Sequence, residues 1–69
     1  MSITEAALRD LRLIYNAAYT AYQSCVQALN EATTSGKHPS AQLIKNEAAA
    51  LRELSDARAK LLAALKASD

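Results

Sequence analysis

Residues that end helices are almost absent from this chain, which has one glycine and one proline among 69 residues. Both lie in one short stretch, at Gly36 and Pro39, with 35 residues before the glycine and 30 after the proline. Because glycine and proline are the strongest helix breakers, little in the flanking segments would stop a helix. The stretch from Gly36 to Pro39 is therefore where the chain is expected to reverse direction.

Cysteine and histidine are equally scarce, with one of each in the chain. A single cysteine, Cys25, cannot form a disulfide within the chain, and a zinc site needs several Cys or His ligands. A domain of this size buries only about 60% of the surface that its unfolded chain exposes, so it usually needs a disulfide, a metal or a partner. Association is the remaining source of stability, and no cofactor is predicted.

A strong excess of one charge is also lacking, because eight basic residues stand against seven acidic ones and the net charge is +1. Proteins that hold RNA or DNA through its phosphates concentrate positive charge on one surface, so nucleic-acid binding is the least favoured function. No basic segment followed by an apolar run marks a signal peptide. The longest uncharged stretch, residues 13–30, is interrupted by polar residues, which argues against a lipid-facing span. We expect a cytoplasmic protein without a membrane partner.

The apolar residues recur at steps of three and four, which predicts helices on both sides of the turn. Helix one is expected over about residues 3–34. Ser2 and Glu5 have the spacing of a capping box, in which each side chain accepts a hydrogen bond from a free backbone amide. Gly36 suits the left-handed conformation that closes many helices at their carboxyl end.

Helix two is expected over about residues 40–67. Its start is expected between Pro39 and Ala41, because Pro39 suits a first turn, where a missing N–H does no harm, and Ser40 is a candidate cap. The turn then covers residues 35–39. Two long helices joined by so short a connection lie antiparallel, so the sequence predicts one all-α domain over residues 1–69, an antiparallel two-helix hairpin.

Folding the chain about the turn sets which residues of the two helices meet. To within a residue or two, the expected pairs are Leu29 with Ile44, Tyr22 with Leu51, Ala18 with Leu54, and Leu8 with Leu65. Each apolar stripe covers roughly half of its helix. One hairpin then leaves many apolar side chains exposed, and such patches mark association surfaces. The sequence therefore predicts a homodimeric four-helix bundle, with a larger hairpin oligomer as the alternative.

Two charged residues, Glu47 and Arg58, project close to the centre of the apolar stripe of helix two. A charge on an apolar face is costly unless it is paired, and these two are too far apart to pair within one helix. If helix two meets its own copy antiparallel, Glu47 of one chain lies opposite Arg58 of the other. The alternatives are a pocket for a polar ligand and extension of both side chains into solvent. The interface candidates are Tyr15, Tyr19, Tyr22, Glu47, Leu51, Leu54 and Arg58.

The three tyrosines are the only aromatic residues, and their spacing places Tyr15, Tyr19 and Tyr22 on one face of helix one. Aromatic residues so arranged can stack on nucleobases or anchor a partner protein. Stacking platforms normally lie among positive charges, and the neighbours of these tyrosines are neutral. A core or subunit-interface role is therefore favoured over a ligand platform.

Helix one also carries a long neutral polar face, opposite its apolar stripe. Interface cores are depleted in charge relative to the remaining surface, so this face is a candidate docking surface for another protein, although an ordinary exposed face is the simpler interpretation. Its candidate residues are Leu13, Asn16, Thr20, Gln23 and Gln27. The outer face of helix two is interpreted as an ordinary solvated surface, with Lys45, Arg52, Glu53, Asp56 and Lys60.

The turn offers a weak candidate for an anion site, because free amides at a helix start attract anions. The residues concerned are Lys37, His38 and Ser40. No catalytic set is present, since Cys25 lies on the apolar stripe, where an inert thiol is expected, and His38 lies far from it. The sequence therefore predicts no enzymatic activity.

Together these patterns predict a small non-enzymatic, homo-oligomeric protein-interaction module, of the regulator, adaptor or inhibitor type. The chain itself is the first expected partner, and a second, unidentified protein is the other. The alternative function is an oligomer that binds a small anionic or nucleotide-like ligand through the tyrosines and a nearby cation. An RNA- or DNA-binding bundle ranks below both.

Overall fold

The computed structural model describes residues 4–67 and contains two α-helices, α1 (Glu5–Thr34) and α2 (Ala41–Ala67). The helices pack against each other, and the molecule measures 52 × 15 × 14 Å. A helix of 30 residues is about 45 Å long, so two such helices fit these dimensions only side by side. The all-helical two-helix hairpin predicted from the sequence is confirmed.

The amino end of α1 is capped by Thr4, whose Oγ1 accepts a hydrogen bond from the backbone N–H of Ala7 at 3.1 Å. Thr4 has extended backbone angles, as a capping residue requires. The predicted capping residue, Ser2, lies outside the described residues. Within those residues the helix begins at Glu5, two residues later than expected, because Thr4 supplies the capping hydroxyl.

The carboxyl end of α1 closes through a left-handed glycine. Gly36 has φ of +75° and its N–H donates to the carbonyl of Thr33 at 3.1 Å, while the N–H of Lys37 donates to the carbonyl of Ala32 at 3.0 Å. This pair of hydrogen bonds is the Schellman arrangement, and it satisfies carbonyls that the helix itself leaves free. Ser35 is the C-cap residue of α1, and Gly36 is the first residue beyond the helix.

The amino end of α2 is capped by Ser40, whose Oγ accepts a hydrogen bond from the N–H of Leu43 at 3.1 Å. The backbone carbonyl of Ser40 accepts from Ile44 at 3.2 Å. Pro39 therefore precedes the cap and lies outside the helix, within the range of 35–39 expected for the turn. Its rigid φ shapes the approach of the chain to the cap.

The contact between the helices is a seam with a seven-residue repeat. Its most buried members are the alanines Ala50, Ala57 and Ala64 of α2. Half-buried residues lie between and across from them, at alternating steps of three and four, as expected for packed heptad repeats. The half-buried seam residues are Leu8, Leu11, Tyr15, Ala18, Tyr22, Cys25, Leu29 and Ala32 of α1, and Leu43, Glu47, Leu54 and Leu61 of α2.

The seam moves three of the expected α2 partners by one residue and keeps Ala18 across from Leu54. Ile44, Leu51 and Leu65 were predicted to face α1, yet they are exposed, and the preceding residues occupy the seam instead. Matching the two repeats in antiparallel order places Tyr22 across from Ala50 and Leu8 across from Ala64. The physical reason is size, because a small residue opposite a large one lets the helices approach closely.

The hairpin has very little interior of its own. Among residues 4–67 the only buried residues are the three seam alanines, and no large side chain is fully buried. Much of the apolar surface of both helices therefore remains open to contact with another molecule.

Within residues 4–67, neither helix has a stretch long and apolar enough to cross a membrane.

Candidate functional site

A second stripe of side chains runs along α2 beside the seam, and we call it the leucine face. Its large members are well exposed, with Ile44 at 52% and Leu51 at 43%. They follow the same alternation of three and four residues as the seam, displaced by one position, so the stripe runs along the whole helix. The leucine face comprises Ile44, Ala48, Leu51, Ser55, Arg58, Leu62 and Leu65, all of them exposed.

Glu47 and Arg58 lie on neighbouring stripes of α2. Glu47 is half-buried at the edge of the seam next to the leucine face, and Arg58 is exposed within the leucine face. Eleven residues of helix separate them by about 16 Å. Neither side chain forms a hydrogen bond or an ion pair within residues 4–67. A half-buried carboxylate without a partner favours a cation supplied from outside the hairpin.

The tyrosines divide between the seam and the surface. Tyr15 and Tyr22 are half-buried in the seam, whereas Tyr19 is exposed beside it. The rings of Tyr15 and Tyr19 pack at 6.2 Å between centroids with a tilt of 36°, a stabilising aromatic pair. Tyr19 and Tyr22 also border a shallow pocket of about 410 Å³ with Gln23, Val26, Gln27 and Asn30. No lysine or arginine lines this pocket, so it offers no charge to a phosphate group.

The neutral face of α1 is exposed along its length. Leu13 is the most exposed large apolar residue described, at 61%. Thr20 and Gln27 are partly engaged within the helix, since Thr20 Oγ1 donates to the carbonyl of Asn16 at 3.0 Å and Gln27 Nε2 donates to Glu31 Oε1 at 3.5 Å. Gln23 is also exposed and borders the pocket beside Tyr19 and Tyr22. This face thus presents a single large apolar side chain among polar ones.

The turn residues proposed to hold an anion are only partly available. Lys37 and His38 are exposed, but the hydroxyl of Ser40 is committed to capping α2. The amide of Leu43, which an anion would need, already donates to that hydroxyl. The geometry of the turn therefore serves helix closure.

A groove on the other side of the seam was missed by the sequence analysis, and we call it the acidic groove. It has a volume of about 570 Å³ and runs between the two helices. The groove has an apolar floor, and three charged residues of α2 line it. Its lining residues are Leu11, Ile14, Ala17, Ala18, Ala21, Glu53, Asp56, Ala57 and Lys60.

The signal for this groove was present in the spacing of its residues. Ile14, Ala17 and Ala21 follow one another at steps of three and four beside the seam, and Glu53, Asp56 and Lys60 do the same on α2. On an isolated helix, charges with this spacing have the pattern of a solvated surface. Only the packing of α1 against α2 brings Ile14, which is 56% exposed, to the same side as these carboxylates.

Among residues 4–67 no three His, Cys, Asp or Glu side chains are grouped so that they could hold a metal ion. Cys25 is a free, half-buried thiol within the seam. No protein-family model, no curated protein and no solved structure matches the chain.

Proposed function

We propose that the chain is a non-enzymatic protein-interaction module that acts as a homodimer, in which two hairpins join through their leucine faces into a four-helix bundle. The observation that carries this proposal is the distribution of side-chain size. The hairpin buries alanines and leaves Ile44, Leu51 and Leu62 exposed. Exposed apolar residues arranged in a continuous stripe are typical of association surfaces.

The surface area supports the same proposal. The chain exposes 5334 Å², whereas a compact protein of this mass exposes about 4,200 Å². The excess of about 1,100 Å² is comparable with the roughly 800 Å² that each partner buries in a stable protein–protein interface. One copy of the hairpin therefore exposes enough surface in excess of a compact protein to sustain a dimer.

The leucine face is complementary to itself under a two-fold axis. An antiparallel pairing centred on Ser55 places Leu65 opposite Ile44 of the partner subunit and Leu62 opposite Ala48 of the partner subunit. Leu62 then meets a smaller residue, and the two-fold axis makes each of these contacts twice, as in any isologous interface. The hydroxyl of Ser55 lies on the axis, where two polar groups can share a hydrogen bond.

The same pairing gives Glu47 a cation. Arg58 lies opposite Leu51 of the partner subunit, and Glu47 of the partner subunit is one helical turn beyond that leucine. An arginine side chain spans about one turn, so its stem can pack on the leucine while the guanidinium pairs with the carboxylate. The two-fold makes this contact twice.

The test is the mass of the protein in solution, measured by sedimentation at several concentrations. We expect a dimer for the wild type and at least a tenfold weaker dimer for Arg58→Glu, because the substitution places two carboxylates together. The double variant Glu47→Arg with Arg58→Glu should recover part of the affinity. Arg52→Glu, on the outer surface of α2, is the matched control and should dimerise like the wild type.

Two results would contradict the proposal, the first in full and the second in part. A wild type that stays monomeric at high concentration would show that the leucine face does not bind its own copy. A dimer that is unaffected by Arg58→Glu would leave self-association intact but remove the proposed charge pair.

A further inference from the structure

We propose that the acidic groove binds an α-helix of another protein, one whose contact face is apolar and flanked by lysine or arginine. This inference rests on the proposed function, because the dimer occupies the leucine faces and leaves the grooves open. The two-fold then provides two identical grooves, so each dimer binds two partner helices.

The shape of the groove suits a helix. The α1 side of the lining runs from Leu11 to Ala21, which is about 15 Å or three helical turns. Ile14 projects into solvent at one end, and the small side chains of Ala17 and Ala21 leave space beside it. A row of small residues next to a large one lets an incoming backbone approach closely while its own apolar residues fill the space.

The charge of the groove selects the partner. Glu53 and Asp56 line the α2 side of the groove. On the α1 side, Asp10 lies one turn before Ile14. Lys60 is the one cation among the lining residues. Glu53 and Asp56 form no hydrogen bond or ion pair within residues 4–67. An incoming lysine or arginine would pair with them at the rim. Exposed pairs add little affinity each, but they orient the partner and reject helices with acidic flanks.

The remaining surface of the dimer does not offer such a helix. Lys45, Arg52 and Lys66 lie on the side of α2 away from the groove, but alanines separate these cations and no large apolar residue lies on their line. The outer face of α1 is uncharged over residues 13–30 and carries Leu13 alone as a large apolar residue. The leucine face combines leucines with an arginine, but the dimer already uses it. The occupant is therefore a helix from a different protein.

The experiment uses two synthetic peptides as probes. Each is about 18 residues long, so that it is substantially helical by itself, and each has leucine and alanine along one face. One peptide carries lysines beside that face and the other carries glutamates. Binding of fluorescein-labelled peptide to the full chain is followed by fluorescence anisotropy at moderate ionic strength. We expect the lysine peptide to bind at least tenfold more tightly than the glutamate peptide.

Substitutions then locate the binding. Ile14→Asp should weaken the lysine peptide at least tenfold, whereas Leu13→Asp, at the adjacent and equally exposed position on the outer face, should not change its affinity. Glu53→Lys combined with Asp56→Lys should reverse the preference between the two peptides. Equal binding of both peptides, or equal effects of Ile14→Asp and Leu13→Asp, would overturn the proposal.

Sedimentation of the same samples separates this inference from the proposed dimer. Groove variants that lose the peptide but keep the dimer mass support the groove as a partner site. Groove variants that lower the mass would show that a second copy occupies the groove, and the proposal would be wrong. A monomeric wild type that still discriminates between the peptides would support the groove while contradicting the dimer.

Discussion

Gly36 shows how much of the hairpin depends on one backbone conformation. Its φ of +75° is one that residues with a side chain rarely adopt, although a Cβ placed there meets nothing within 4 Å. Gly36→Ala should therefore cost about 1 kcal/mol through backbone strain alone. Urea unfolding at fixed protein concentration measures this.

Gly36→Asn is the natural comparison, because asparagine tolerates the left-handed region better than alanine. We expect it to be intermediate between glycine and alanine. An alanine variant as stable as the wild type would mean that the loop closes α1 in some other way.

The capping hydroxyls act at the same scale. Ser40 Oγ and Thr4 Oγ1 each satisfy one backbone N–H at 3.1 Å. Ser40→Ala should lower the free energy of unfolding by about 1 kcal/mol, because the amide of Leu43 loses its acceptor. Ser40→Asp retains an acceptor and should stay close to the wild type. Equal destabilisation by both substitutions would indicate that the hydroxyl matters for something other than the cap.

At the scale of the helix, α2 carries two parallel stripes, the seam and the leucine face, with different structural roles. The alanines of the seam set the distance between the helices, whereas the side chains of the leucine face are exposed. Ala57 is only 4% exposed, so Ala57→Leu must push the helices apart and should cost about 1–3 kcal/mol.

Ala59→Leu makes the same chemical change two residues away, at an exposed position on the outer surface. It should be nearly neutral, since leucine is also a good helix former. Comparable losses of stability in both variants, measured by urea unfolding, would contradict the seam described for α2.

The positions of the two helices could largely be predicted from the sequence, whereas the side of α2 that packs against α1 could not. Gly36 and Ser40 signal the ends of α1 and α2 locally, because capping depends on a few adjacent residues. Choosing between Ala50 and Leu51 for the seam is different, since hydrophobicity favours the leucine and close helix packing favours the alanine. The seven-residue repeat of Ala50, Ala57 and Ala64 was the available signal. The acidic groove is formed by residues of both helices, so the residue pattern of one helix could not predict it.

At the scale of the whole molecule, a hairpin without an interior should depend on its partner for stability. If the dimer is the stable form, a hundredfold increase in protein concentration adds about 2.7 kcal/mol to the free energy of unfolding. For a dimer of this size that corresponds to a rise in Tm of roughly 5–10 °C.

Thermal unfolding followed by circular dichroism over that concentration range measures the effect. Leu51→Asp should lower the Tm and weaken its dependence on concentration, because it places a charge in the leucine face. Leu13→Asp, outside that face, should behave like the wild type. A Tm that is independent of concentration in the wild type would argue for a stable monomer.

The seven-residue repeat of the seam has a consequence for the path of both surfaces. An α-helix has 3.6 residues per turn, so two helices that keep a repeat of seven must wind around each other in a left-handed sense. With a pitch of about 150 Å, a hairpin whose longer helix is about 45 Å turns through roughly a third of a revolution. The acidic groove and the leucine face therefore spiral around the hairpin, and a straight rod cannot follow either of them from end to end. A partner helix either engages only a few turns or winds with the hairpin, which makes curvature, besides charge, a property by which it is selected.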